Sequence, residues 1–137
     1  MTGHTAEMME VDGCRIEVLR GGNGTPMLFL HGAGGASAWA PYMEALSKRF
    51  SLIVPSHPGY GRSDTPPWLD NLSDLAYFYR DVIDALDLRD FQLAGNSLGV
   101  WLAAEVPVAS AEGIRTLTLV SPAGMHVKGV PKGDIFL

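Results

Sequence analysis

Gly95-Asn96-Ser97-Leu98-Gly99 sets one serine between two glycines in the pattern G-x-S-x-G. A serine hydroxyl attacks an acyl carbon only when it is held in an exposed, fixed position and relieved of its proton by a base. The surroundings of this pentapeptide meet the first condition. It follows a predicted buried strand, Phe91 to Ala94, and opens a predicted helix from Leu98 to Val106, so the serine falls at a strand–turn–helix junction. Flanking glycines let neighbouring backbone approach closely. The N-terminus of the helix that follows offers unpaired N–H groups to a developing negative charge. Ser97 is therefore the candidate nucleophile, and the Leu98 N–H a candidate oxyanion donor. Without that context the same five residues would fit an ordinary strand-to-helix turn.

A second donor has to come from elsewhere. His31-Gly32-Ala33-Gly34-Gly35 follows another apolar run, Pro26 to Leu30. Small residues directly after a parallel strand leave backbone N–H groups free to face a ligand at the carboxyl end of a sheet. Ala33 is the expected donor, with Gly34 as the alternative on the same loop. His31 is read as bracing the loop through hydrogen bonds rather than as a base, and Gly32, Gly95 and Gly99 as structural residues of the site. Pro58-Gly59-Tyr60-Gly61-Arg62-Ser63 is read as a structural turn near it. The lone Cys14 excludes an internal disulfide and a multi-cysteine metal site, and reads as a small core residue. No metal or organic cofactor is expected.

These residues need a scaffold. Met8–Val11 and Cys14–Arg20 read as two strands around Asp12-Gly13, an antiparallel pair, with Ile16 and Val18 alternating against Arg15 and Glu17. Pro26–Leu30 is a continuous apolar run, which suits a strand covered on both faces, and Ser51–Val54 and Phe91–Ala94 read the same way. Thr116–Val120 reads the same way with more alternation. Between them lie helical patterns at Trp39–Lys48, Leu72–Leu86 and Leu98–Val106, with Ser73 as a possible N-cap of the second and Pro107 ending or kinking the third. Leu72, Leu75, Ala76, Tyr79, Val82, Ile83 and Leu86 form one apolar stripe that reads as core. Trp39 and Trp68 lie near the expected site loops, where they would line a pocket or pack against a helix. Gly124–Leu137 reads as loop. Strands alternating with helices indicate an α/β fold, a mostly parallel sheet with helices on both faces.

With its three motifs in this order, the sequence from about Glu10 to about Met125 resembles the α/β-hydrolase superfamily, in particular its cofactor-free bacterial serine hydrolases: esterases, lactonases and C–C bond hydrolases. The resemblance implies an acyl-enzyme on Ser97 and a small ester-like or acyl substrate. Related dehalogenases and epoxide hydrolases carry Asp at the position of Ser97, which disfavours those reactions here. The family pattern places an Asp two residues before Pro-Gly-x-Gly, where this chain has Ser56 and then His57. It also implies eight strands, of which about six are legible, and a cap beginning after Val120. Residues 1–137 are thus expected to form one partial domain. The family's triad acid and histidine have no counterpart to carry over. His126 is the only histidine after Ser97, Asp134 the only later Asp, and neither is assigned a role. A non-catalytic fragment or binding module that keeps the serine turn without its base is the alternative.

Composition narrows the partners. The chain has 137 residues, 47% of them apolar and 18% charged, with a net charge of −5. That sign disfavours nucleic acid and anionic membrane surfaces. The N-terminus has neither a basic n-region nor an apolar h-region, so a cytoplasmic protein is expected. With about six of eight strands, the sheet is expected to keep an open edge at Thr116–Val120 through which copies self-associate.

Overall fold

In the computed structural model, residues 3–131 are described; Asp134 and the end of the expected C-terminal loop lie outside them. Six strands and three helices alternate along the chain: β1 (His4–Val11), β2 (Cys14–Gly21), β3 (Thr25–Leu30), α1 (Pro41–Ser47), β4 (Phe50–Pro55), α2 (Leu72–Ala85), β5 (Phe91–Asn96), α3 (Leu98–Ala109) and β6 (Ile114–Val120). They form one sheet of order β1-β2-β4-β3-β5-β6. β1 pairs antiparallel with β2, and β2 with β4; the other three pairings are parallel.

Helices cover both faces. On one, α2 and α3 bury Leu75, Tyr79, Val82, Leu102 and Val106 against Ile16, Leu28 and Leu93. On the other, Met43 of α1 packs with Leu19, Leu52 and Val54. The chain leaves β3 toward β4 on one side, then crosses to β5 and β6 on the other. Such a reversal opens a crevice at the carboxyl ends of β3 and β5, the place where ligands bind in open α/β sheets. Among the described residues no helix is long and apolar enough to cross a membrane.

The structure departs from the sequence reading at several points, each for a local reason. α1 starts at Pro41 rather than Trp39, because proline fits the first helical position and holds Ala40 extended at φ −89, ψ 160. The N-cap of α2 is Asn71, whose Oδ1 accepts the Asp74 N–H at 2.9 Å; Ser73 is already inside the helix. α3 runs through Pro107, whose ring removes the N–H that would meet the Ala103 carbonyl, and ends two residues later at Ala109. β2 does not alternate: Glu17 is buried with Ile16 and Val18. The segment after β4 lies over it, with the Ser56 N–H donating to Glu17 O at 2.8 Å and Ser63 Oγ accepting the Glu17 N–H at 3.0 Å. The Glu17 carboxylate faces Arg62 at 3.6 Å. β6 is not covered on both faces; Leu117 and Val120 are exposed, because α3 is the only helix that packs against β6 among the described elements.

Candidate functional site

The carboxyl ends of β3 and β5 bring two of the sequence motifs together. Ser97, between β5 and α3, has φ 53 and ψ −113, a conformation that a non-glycine residue adopts only under constraint. The constraint is visible on either side. A β-carbon at Gly99 would collide with the Leu30 carbonyl oxygen, and one at Gly95 with the Gly99 carbonyl oxygen. The first turn of α3 is thus pressed against the ends of β3 and β5, and only glycine permits that approach.

The Ser97 backbone is fully tied. Its N–H donates to Val120 O at 3.0 Å, and its carbonyl accepts the N–H of Val100 at 3.0 Å and of Ala123 at 3.3 Å. Its side chain makes no capping hydrogen bond and is half-exposed. It opens into a cleft of about 530 Å³ whose other walls include Ser121, Ala123, His126, Val127 and Val130. Ser121, also at positive φ (48°), ends β6 and begins that wall. Gly124 seats the wall on α3, since a β-carbon there would lie 2.7 Å from the Trp101 ring.

The loop after β3 lies against the serine. A β-carbon on Gly32 would be 3.2 Å from Asn96 O and 3.3 Å from Ser97 Cβ. The Gly35 N–H donates to Gly32 O at 3.1 Å and closes a turn with Ala33 and Gly34 at its centre. The two central N–H groups of such a turn take no part in it. Both residues are exposed, and among the described residues neither N–H has a backbone acceptor. The Leu98 N–H, at the first helical position of α3, has none either. Ala33 and Gly34 do not line the cleft of Ser97; the contact between loop and serine runs through Gly32.

Behind the loop lies a buried aromatic network. His31 and His57 are both buried, their rings 3.6 Å apart and stacked. His31 Nδ1–H donates to Gly32 O at 2.6 Å, and His31 Nε2 accepts the His57 backbone N–H at 2.9 Å. His57 Nε2–H donates to His31 O at 2.7 Å, and His57 Nδ1 accepts the Tyr79 hydroxyl. These partners fix both tautomers. Burial lowers the pKa of both imidazoles, that of His57 to about 3 with the neighbouring His31 as a second cause. Burial also raises the Tyr79 phenol well above its ordinary value.

The remaining sequence candidates lie elsewhere. Trp39 stacks on His4 and donates from Nε1 to Glu44 at 2.9 Å, and Trp68 packs on Phe78; neither borders the serine. Cys14 is buried in the core. His126 lines the cleft, but no described imidazole hydrogen-bonds Ser97. Sequence reasoning had missed Ser121, Tyr79 and the partnership of His57 with His31. The Ser121-Pro122 turn after β6 was a signal for the first; nothing local signals a contact spanning 22 or 26 residues.

Comparison with known proteins agrees with this fold. The profile of a family described as alpha/beta hydrolase fold matches residues 25–132. The chain is 31% identical over 125 residues to a 2-hydroxymuconate semialdehyde hydrolase of Pseudomonas sp. (strain CF600), covering 82% of this chain and 42% of the relative. It is 30% identical over 101 residues to an (E)-2-((N-methylformamido)methylene)succinate hydrolase of Acinetobacter baylyi, covering 73% and 38%. Among solved structures, a bacterial membrane phospholipase A superposes with a TM-score of 0.82 at 27% identity over 90% of this chain and 41% of that one. A haloalkane dehalogenase of Agrobacterium tumefaciens superposes with a TM-score of 0.79 at 26% identity, over 88% and 42%. The chain spans about two fifths of the length of these relatives.

Proposed function

Because the chain belongs to the alpha/beta hydrolase fold family, we propose that it carries the nucleophile and oxyanion half of a serine hydrolase acting on an ester or related acyl bond. Fold alone does not choose the reaction, as a phospholipase and a dehalogenase on the same scaffold make plain. The reading rests on one observation: Ser97 is held at φ 53 with its backbone tied, half-exposed on the wall of a cleft.

In this reading Ser97 Oγ attacks the acyl carbon and the carbonyl oxygen becomes an oxyanion. The N–H groups of Ala33 and Leu98 receive that charge, with Gly34 as the alternative to Ala33, on the side of Ser97 that meets the 32–35 turn through Gly32 rather than at the cleft wall. Such donors act because they are fixed before charge develops; losing one costs about 10²–10³ in kcat. The Ser97 proton passes to a base and then to the leaving group, and no residue described here is assigned as that base. Water then releases the acyl group and regenerates the serine.

A second reading, a binding module with the serine turn but no working base, draws on the absence of any described imidazole hydrogen-bonded to Ser97. Treatment with a fluorophosphonate followed by intact mass measurement separates the two. The hydrolase reading expects one adduct, with loss of fluoride, on the wild type and none on Ser97→Ala. A folded wild type that stays unlabelled supports the binding module. An adduct of equal yield on Ser97→Ala removes Ser97 from the chemistry.

A further inference from the structure

We propose that Tyr79, acting through His57, is a positioning residue that fixes the 32–35 turn and with it the N–H groups of Ala33 and Gly34. The part of this concerning reaction rate rests on the serine hydrolase reading above; the part concerning geometry does not.

The hydrogen bonds form one directed chain. The Tyr79 hydroxyl donates to His57 Nδ1, which leaves the proton of that ring on Nε2, aimed at His31 O. The His57 backbone N–H donates to His31 Nε2, which leaves the proton of the second ring on Nδ1, aimed at Gly32 O. Gly32 O is the same atom that accepts the Gly35 N–H and closes the turn. His57 therefore grips His31 twice, at the ring and at the carbonyl, and His31 passes the constraint to the turn one residue on. Tyr79 starts the chain from α2, fully buried in the core on one face of the sheet. The Tyr60 ring closes the remaining side, edge-on to both imidazoles at 5.0 and 5.7 Å.

Removing the phenol oxygen breaks the logic at its source. In Tyr79→Phe, His57 either keeps its Nε2 proton and leaves Nδ1 buried and unpaired, or moves the proton to Nδ1. The second choice sets a bare Nε2 against His31 O, lone pair against lone pair. Either outcome loosens the double grip, since a buried polar atom left unpaired carries its full desolvation cost. A space-filling role alone would be met by phenylalanine.

The test combines ring ¹⁵N NMR with saturation kinetics of fluorophosphonate labelling. The wild type is expected to show His57 protonated at Nε2 and His31 at Nδ1. Tyr79→Phe should lose the His57 signature and shift the Ala33 and Gly34 amide signals. It should also lower the limiting labelling rate about tenfold, with the half-saturating concentration within twofold. His57→Gln, whose amide can still donate to His31 O, should keep more of the rate than His57→Leu. Unmoved Ala33 and Gly34 amides in Tyr79→Phe overturn the proposal, as does an unchanged limiting rate in a wild type that labels at Ser97. If the wild type does not label, the hydrolase reading fails by itself, and the tautomers and amide shifts still decide the positioning role.

Discussion

At the scale of the residue, the site depends on what its glycines exclude. The Gly99 α-carbon faces the Leu30 and His31 carbonyl oxygens so closely that any β-carbon would meet backbone, which cannot rotate away. Gly99→Ala is therefore expected to destabilise the chain by about 3 kcal/mol, the upper range for forced overpacking, and to disturb Ser97 at the same time. Gly34 is the contrast: a β-carbon there meets nothing within 4 Å and its φ is ordinary. Gly34→Ala keeps the N–H and should change stability by less than about 0.5 kcal/mol. Urea denaturation midpoints of the two variants check the pair, and similar losses in both would mean the tight packing behind Ser97 is misjudged. The pentapeptide at 95–99 was legible in sequence because glycine has few other reasons to stand on both sides of a serine between a strand and a helix. The His31–His57–Tyr79 network was not, because its members are joined by tertiary contacts alone.

At the scale of the element, local patterns predicted most of the secondary structure and failed where a partner decides. The stripe from Leu75 to Ile83 did become the buried face of α2, because period 3.6 needs only one apolar neighbour to be satisfied. The first residue of α2 agrees with the sequence reading, but its cap is Asn71 rather than Ser73, since both are good caps and only backbone geometry chooses between them. That choice is measurable. Asn71→Ala removes the acceptor of the Asp74 N–H and should cost about 1 kcal/mol. Ser73→Ala, at an exposed position inside the helix, should cost less than about 0.5 kcal/mol. Equal losses in thermal or chemical unfolding would overturn the cap. Glu17 and β6 fail in opposite directions: the alternation of β2 reads Glu17 as exposed and a covering loop buries it, while Thr116–Val120 reads as covered on both faces and is largely exposed.

At the scale of the whole molecule, the β6 edge and the titratable groups set behaviour in solution. β6 has a single neighbouring strand among the described residues, with Leu117 and Val120 exposed on its two faces. An open, apolar edge strand is a template for pairing, so we propose that the 137-residue chain self-associates there. Light scattering should give a mass above 14.7 kDa, and Leu117→Lys should lower it; a wild type that is monomeric at every concentration overturns this.

Stability should follow two opposed titrations. His57 has its folded pKa lowered to about 3, first by burial and then by His31, and burial lowers that of His31 as well. Between pH 6.5 and 3 the unfolded chain binds protons that the folded chain refuses, so stability falls as pH drops through that window. Asp81 behaves oppositely. Its hydrogen bond to Asp12, at the β1–β2 turn, is the largest cause that raises its pKa to about 6. Between pH 3.8 and 6 the folded chain keeps a proton the unfolded chain has lost, so this contribution weakens as pH rises through 6. The His57 window, from about 3 to 6.5, is wider than that of Asp81, whose exposed site is screened by solvent, so stability should rise on balance from pH 4 to 6.5. Asp81→Asn removes the opposing carboxylate and should raise stability at pH 7.5 by no more than about 1 kcal/mol, because the site is exposed and solvent screens it. At pH 4, where the Asp81 carboxyl is already protonated in the folded chain, the substitution should gain little. Urea midpoints of both proteins at the two pH values check this. An equal gain at pH 4 and 7.5 would mean that charge repulsion between Asp12 and Asp81 is not what the substitution relieves.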